Sequence, residues 1–331
     1  MRKLTCLFVA LLLLSVSSLF ARGGEQTGPR VFRMADGSPS VHPTNVGNRA
    51  LAKYVEQHTN GAIKIEVYDT AVLGDERTTI EQTQTGDIHF LRVGLGTLAV
   101  VNPVINALNM PFLFRDREHM FNVVDGPIGN ELLESLTGQN LLGLAWYDAG
   151  FRCFYNSQRI IRTPADMVGL RIRVQETPIM MDMIRLLGAQ PTPMAFGEVY
   201  SGIQNGVVHG AENNWPSYVN LAHYEVARYL TVSNHMAAPE MIIVNTRVWN
   251  SFSEEEKRIV REGAHEAARV QRAEWLKQEK ELEEKARAAG NTITDLTPAE
   301  HQLFEEALLP LYQQPAYTQF ADTIRRVKET R

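Results

Sequence analysis

Cysteine is nearly absent. The 331 residues hold two, Cys6 and Cys153. Cys6 falls in an apolar leader, so a chain processed behind that leader keeps one thiol and can form no internal disulfide. Cys153 stands between Arg152 and Phe154 in a strand pattern and reads as a buried, inert thiol rather than a nucleophile. Nucleotide and hydrolase signatures are missing as well. Gly94-Leu95-Gly96 lacks the third glycine of a dinucleotide fingerprint, and the chain has neither a phosphate loop closing on Gly-Lys-Ser/Thr nor a Gly-x-Ser-x-Gly elbow. His265-Glu266 is not followed by the second His of a metal-peptidase helix, and the nine histidines are scattered without a ligand pair. Asp75 and Glu76 are adjacent in a turn, a placement that does not by itself aim two carboxylates at one proton. No catalytic residue, cofactor or metal is therefore expected. Excess positive charge is also lacking: a formal net charge of −5 excludes the basic stripe of a nucleic-acid binder while still allowing a locally basic pocket. Finally, no long apolar run is present. Leu4 to Val16, about 13 residues, falls short of the roughly 20 that a membrane-spanning helix needs.

The composition that is present, 44% hydrophobic and 21% charged, is that of an ordinary globular chain, long enough for two lobes of roughly 100 to 150 residues. Met1-Arg2-Lys3, the apolar run and the small residues Ser15, Ser17, Ser18 and Ala21 form an export signal, expected at residues 1–21. Its removal takes the formal charge from −5 to −7.

Behind the leader, helix and strand alternate. Val46, Leu51, Tyr54 and Val55 share a helical face after His42-Pro43, Asn60-Gly61 stops that helix, and Ile63, Ile65 and Val67 alternate as a strand. Asp75-Glu76-Arg77 opens a short helix to Thr85, and 88–93 returns as a strand, completing a β-α-β unit of the kind that builds parallel sheets. Two helical pieces over 117–136 and a buried strand over 141–147 follow. A Met-rich helix over 178–187 carries Met180, Met181, Ile184 and Leu187 as core filling. Another short helix ends at Asn205-Gly206, and His209 and His223 read as structural. Ser253 and Glu256 form a capping box ahead of a Pro-free pattern reaching Ala289. That is a helix of roughly 36 residues, about 54 Å long, longer than one small lobe is wide, so it either spans both lobes or projects into solvent. Thr297 and Glu300 cap a further helix, and 315–331 reads as a solvated amphipathic tail.

Two arginines stand out within this framework. Phe151-Arg152-Cys153-Phe154-Tyr155-Asn156 and Leu170-Arg171-Ile172-Arg173-Val174 both read as strands, separated by turn-forming Thr163-Pro164 and Gly169. An Arg on a buried strand face needs a partner, because an unpaired buried charge costs several kcal/mol or so. Either internal acids or an anionic ligand supplies it. A guanidinium pair matches the second role, since each presents a planar fork to a carboxylate.

Several of these segments, in this order, carry a resemblance: Asp166-Met167-Val168-Gly169-Leu170-Arg171-Ile172-Arg173-Val174, Pro191-Thr192-Pro193-Met194-Ala195-Phe196-Gly197-Glu198-Val199-Tyr200, and Val207-Val208-His209-Gly210-Ala211-Glu212-Asn213. Together with the leader they resemble the DctP-type extracytoplasmic solute-binding proteins of tripartite ATP-independent periplasmic (TRAP) transporters, over essentially all of Arg30 onward. The resemblance implies a two-lobed α/β fold of the periplasmic-binding-protein type (type II-like), with a hinge and the long helix 254–289 running across both lobes. Lobe I would comprise 30–149 plus about 240–275, and lobe II 150–239 plus about 276–331. It implies Arg173 as the principal carboxylate clamp, Arg152 as its second cation, Asn213 as a hydrogen-bonding partner and Phe196 packed on the ligand. Sialic-acid binders of the family carry a carboxylate where Gly94 stands. The segment Asn213-Asn214-Trp215-Pro216-Ser217-Tyr218, with Arg92-Val93 and Ala238-Pro239-Glu240, is similar to members that bind hexuronates such as glucuronate and galacturonate.

A pyranose acid suits these residues: Trp215 or Phe196 covers its C–H face, and Glu76, Arg92, Gln175, Asn213 and His42 are the candidates for its remaining contacts. The implied partners are a small organic acid and the membrane subunits of a permease, for a monomer without nucleic acid in the periplasm. Alternatives remain open at this point: a C4-dicarboxylate or other carboxylate as ligand, a periplasmic sugar-acid enzyme, or a ligand-sensing partner of a membrane receptor.

Overall fold

The computed structural model describes residues 28–237 and 239–331. The expected export signal, 1–21, lies outside them. Among the described residues, eleven strands form two sheets. The first holds β1 (Arg30–Ala35), β2 (Ile63–Tyr68), β3 (Phe90–Gly94), β4 (Leu141–Tyr147) and β10 (Glu240–Asn245), in the order β2-β1-β3-β10-β4. The second holds β5 (Phe151–Asn156), β6 (Arg171–Val174), β7 (Gln190–Pro193), β8 (Gly210–Asn213), β9 (Tyr229–Ala237) and β11 (Thr292–Asp295), in the order β11-β9-β5-β8-β6-β7. β1 runs parallel to β2 and β3, whereas β10 returns from the second lobe antiparallel to β3 and β4. The chain thus crosses between lobes at β4–β5 and again at β9–β10. This is the expected two-lobed α/β architecture.

Local sequence explains most of the helices, whose longer members are numbered α1 (Pro43–His58), α2 (Glu76–Thr85), α3 (Arg117–Val124), α4 (Pro127–Glu134), α5 (Pro178–Leu186), α6 (Glu254–Ala288), α7 (Pro298–Leu308) and α8 (Ala321–Glu329). His42 caps α1 and Asp75 caps α2 through side-chain acceptors. The capping boxes of Ser253–Glu256 and Thr297–Glu300 form as the sequence predicts. The tail differs: only Ala321–Glu329 is α-helical, and α8 docks on the first lobe through Arg326–Glu131 at 2.7 Å and His119 Nε2 to the Val327 carbonyl at 2.8 Å. Tyr317 ties the preceding segment to Asp182 of α5 at 2.8 Å, so the last residues of the stretch expected in lobe II strap the two lobes together.

α6, 35 residues long, packs on α1 and β4 of the first lobe and on Trp215–Asn220 of the second. It also grips the crossover. Gln271 exchanges two hydrogen bonds with the Asp148 backbone, at 2.9 and 2.8 Å, and Arg117 bridges Asp148 and Glu279 at 2.9 and 2.7 Å. Gly150, at the turn, has φ +59°, and a Cβ there would lie 2.7 Å from Glu279 Oε1 and 2.8 Å from Trp275 Nε1. Gly150→Ala is therefore expected to destabilise the protein by more than about 1 kcal/mol, read as a lower urea midpoint at unchanged slope.

Candidate functional site

Arg173 lies at the heart of the second sheet, on β6 between β7 and β8, and only 3% of it is exposed. Its Nε donates to the Met194 carbonyl at 2.9 Å, while neither terminal nitrogen has a hydrogen-bond or ion-pair partner among the described residues. Those nitrogens face the cleft between the lobes, with the Phe196 ring centroid 6.0 Å from the guanidinium carbon. Burial lowers the Arg173 pKa, and neighbouring Arg152 adds to that, against the pull of Glu212, Tyr155 and Glu76. A guanidinium stays charged regardless. The result is a buried cation with an unsatisfied fork opening on a cavity, a local arrangement that favours an anion.

Arg152 is different. On β5, opposite β8, it puts Nε and Nη2 onto the two carboxylate oxygens of Glu212, and Nη2 also reaches the Glu212 carbonyl at 2.8 Å. His235 Nε2 lies 3.5 Å from the same carboxylate. Burial alone would raise Glu212, but the Arg152 charge and the His235 and Arg152 hydrogen bonds outweigh it and hold the carboxyl at about 2. The expected second cation of the clamp is thus already neutralised by an internal acid, leaving only Nη1 without a protein partner. The sequence could not show this, because Glu212 is 60 residues away.

Arg92 on β3 is still more committed. Nε and Nη2 fork onto Asp36, Nη2 also donates to Ser38 Oγ at 2.7 Å, and Nη1 donates to Glu76 Oε1 and Glu240 Oε1, each at 3.1 Å. A guanidinium has five N–H donors, and all five are used. Arg92 therefore has no donor left for a ligand, contrary to the expectation of a direct contact. It instead positions Glu76, whose Oε1 also accepts from Gly94 N at 3.2 Å and whose Oε2 accepts from Thr97 Oγ1 at 2.8 Å.

The cleft encloses about 800 Å³, including its open mouth. Glu76, His42 and Arg92 line it from the first lobe, and Arg152, Arg173, Gln175, Phe196 and Asn213 from the second. Asn213 follows Glu212 on β8. Its Oδ1 accepts from Asn214 N at 2.9 Å, which leaves the amide NH₂ free to donate. His42 is buried and neutral: burial first, then Arg92, push its pKa down to about 3. Its Nδ1 lies 2.9 Å from Thr44 Oγ1 and 3.4 Å from Thr44 N, and its Nε2 has no partner among the described residues. Gln175 crosses the cleft, and a Cβ on Gly96 would overlap its Oε1. The lobes therefore meet in a closed arrangement.

Trp215 is not among the lining residues. It packs in the second lobe's core, edge-on to Tyr218 with centroids 6.1 Å apart, which corrects the expectation that it covers the ligand. His223 and His209 are structural as expected, bonded to Tyr155 Oη at 2.9 Å and Arg171 N at 3.1 Å.

Several polar residues of the cleft went unassigned from sequence. Ser38, Thr97, Ser217 and Glu240 line it, and Asp36 and Glu212 stand directly behind it. The only local signal was position: Asp36 and Ser38 follow β1, at the carboxyl end of a strand where ligand loops gather.

Residues 34–319 match DctP, the bacterial extracellular solute-binding protein family 7. A solute-binding protein of Chromohalobacter salexigens is 36% identical over 282 residues, covering 85% of this chain and 82% of that one. A TRAP periplasmic solute-binding protein of Xanthobacter autotrophicus, solved with bound β-D-galacturonate, is 40% identical with a TM-score of 0.86, covering 91% of this chain and all of that one. Another, from Chromohalobacter salexigens with bound D-glucuronate, is 33% identical with a TM-score of 0.88 over the same shares. With two lobes, a closed cleft and an unsatisfied arginine fork already evident in the structure, these matches assign the family: the chain belongs to the DctP-type bacterial extracellular solute-binding proteins, family 7.

Proposed function

We propose that this solute-binding protein captures a hexuronate, glucuronate or galacturonate, and hands it to the membrane subunits of a TRAP permease. One observation carries the reading. Of the three buried arginines at the cleft, two are matched by internal acids, and among the described residues Arg173 alone keeps an unpaired fork. The sugar carboxylate binds there, with Arg152 Nη1 and the Asn213 amide beside it. Phe196 covers a C–H face of the ring. Glu76 accepts from a ring hydroxyl, and His42 Nε2 hydrogen-bonds another hydroxyl from the opposite lobe. Because these contacts come from both lobes, they are complete only when the cleft is shut, and the ligand favours the closed state by that difference. A single free guanidinium suits one carboxylate better than the two of a C4-dicarboxylate. Similar proteins crystallised with galacturonate and glucuronate support the same class.

Members of the family bind solutes for transporters and are not enzymes, so no reaction is assigned to the cleft. No helix among the described residues is long and apolar enough to cross a membrane. The working form is a periplasmic monomer, freed of residues 1–21 and coupled through its permease to an ion gradient rather than to ATP.

A thermal-shift screen tests the ligand class. Galacturonate and glucuronate are expected to raise the melting temperature, whereas galactose and glucose, lacking the carboxylate, leave it in place. A shift with succinate and none with the uronates would replace the reading by the dicarboxylate one.

A further inference from the structure

The charges around the cleft do not balance. Behind an exposed rim of Asp75, Arg77 and Glu176, the three guanidiniums of Arg92, Arg152 and Arg173 face the four carboxyls of Asp36, Glu76, Glu212 and Glu240. Seating a carboxylate ligand adds a fifth negative group to a closed, poorly hydrated space, where each uncompensated charge is costly.

Three of the four acids are well provided with donors. Asp36 receives the Arg92 fork and the Ser38 amide at 2.7 Å. Glu212 receives the Arg152 fork. Glu76 receives Arg92, Gly94 N and Thr97. Glu240 is the poorest. Its Oε1 shares Arg92 Nη1 with Glu76, and its Oε2 is buried without a partner among the described residues. It sits at the start of β10, in register with Gly94 on β3 and Tyr147 on β4. The groups that face it are Asp36 from the end of β1, Glu76 from the start of α2, Arg92 from β3, Tyr147 from β4 and Arg152 from β5. Tyr147, fully buried, stays neutral, and so does His42 next to Asp36.

Resting on the reading that the ligand is a carboxylic acid, we propose that the cleft takes up a proton along with the ligand, and that this proton is held on Glu240. The proton moves from solvent or buffer to the Oε2 atom that lacks a partner. The site then closes on one negative charge more and one fewer, with no net gain. As a neutral acid, Glu240 keeps its Oε1 contact to Arg92 and gains an O–H donor. Burial, together with Glu76 and Asp36, already pushes the Glu240 carboxyl up to about 7 in the closed form, against the opposing pull of Arg92 and Arg152. Opening the cleft to water lowers it, and a ligand anion raises it further. The sign follows: the bound state holds the higher pKa, so affinity is greatest below the pKa of the free protein and declines as pH rises through it, by at most about tenfold per pH unit.

Calorimetric titration of galacturonate at pH 7.5 in phosphate and in Tris, two buffers of very different ionisation enthalpy, counts the protons directly. The unaltered protein is expected to show a buffer-dependent heat corresponding to uptake, together with an affinity that falls between pH 6.5 and 8.5. Glu240→Gln, which fixes the neutral form, is expected to lose both the buffer dependence and the pH slope. Heat independent of buffer with clear binding would overturn the inference while leaving the ligand reading intact, whereas no binding of any sugar acid would instead remove the ligand reading. Undiminished uptake in Glu240→Gln would overturn the assignment to Glu240. Should that variant fail to fold, infrared difference spectra of the unaltered protein decide the residue's state: a protonated-carboxyl band is expected on adding galacturonate, and its absence sinks the proposal.

Discussion

Arg173→Met is expected to weaken galacturonate binding by about ten- to 150-fold while leaving the unliganded protein as stable as before or slightly more so. The first half follows from the loss of a charge-assisted, two-pronged hydrogen bond, which contributes about 1.5 to 3 kcal/mol net. The second half follows from the environment of the guanidinium. It is almost wholly buried, and among the described residues its one hydrogen bond is to the Met194 carbonyl and no acid pairs with it. Because no acid among the described residues depends on it, removing the guanidinium strands no buried counter-charge, and an apolar side chain of similar length fills its place. Arg173→Lys separates charge from geometry: it keeps the cation but loses the fork, and is expected to fall between the two. Calorimetry and thermal melting of the three proteins check both halves. Unchanged affinity in Arg173→Met would move the carboxylate elsewhere in the cleft. Weaker binding accompanied by a large drop in melting temperature would make the residue structural.

Glu212→Ala is expected to have the largest effect on stability, a loss of about 3 to 5 kcal/mol, because it leaves Arg152 buried without its counter-charge. For a chain of this size that is a fall in melting temperature of roughly 5 to 8 °C. Replacing both partners, as Arg152→Met with Glu212→Leu, is expected to recover most of the loss, since an apolar pair of similar volume can equal a buried ion pair. The contrast with Arg173 is the informative part. Both arginines lie on buried strands of one sheet, yet removing the charge partner of one should be severe, whereas the other has no internal partner to remove. Arg152→Met alone adds a binding readout. It frees Glu212, whose negative charge already reaches Arg173, to compete with the ligand for that fork. Galacturonate affinity is expected to fall in Arg152→Met and to recover in part when Glu212→Leu is added. Equal affinity in the single and double variants would show that Glu212 does not compete.

Much of the architecture was legible because its causes are local. The α1 pattern, the short helix opened at Asp75-Glu76-Arg77, the Ser253–Glu256 box and the absence of Pro up to Ala289 each depend on residues within a turn or two of one another, and the structure follows them within a residue or so. The two arginine strands and the apolar strand at 141–147 were visible in the same way. β10 was harder to place from sequence. Met241 to Val244 is a continuous apolar run, buried between β3 and β4, and such a run lacks the alternation that marks a strand with one wet face. The tail misled for a related reason: its amphipathic pattern was real, but its apolar face is covered by the first lobe and the tail is not a free solvated helix.

The sequence alone determined that this is an α/β chain of two lobes joined by a long helix, with arginines on buried strands and the segments of a solute-binding family. It could not determine which arginine is free. That depended on sheet order, which sets β8 beside β5 and so delivers Glu212 to Arg152, and which brings Asp36 and Glu240, 56 and 148 residues from Arg92, onto one guanidinium. Charge pairing across neighbouring strands is a matter of distances of a few ångströms between residues far apart in the chain. Periodicity and capping act within one element and carry no record of its neighbours, so only the assembled sheets left Arg173 as the unmatched cation.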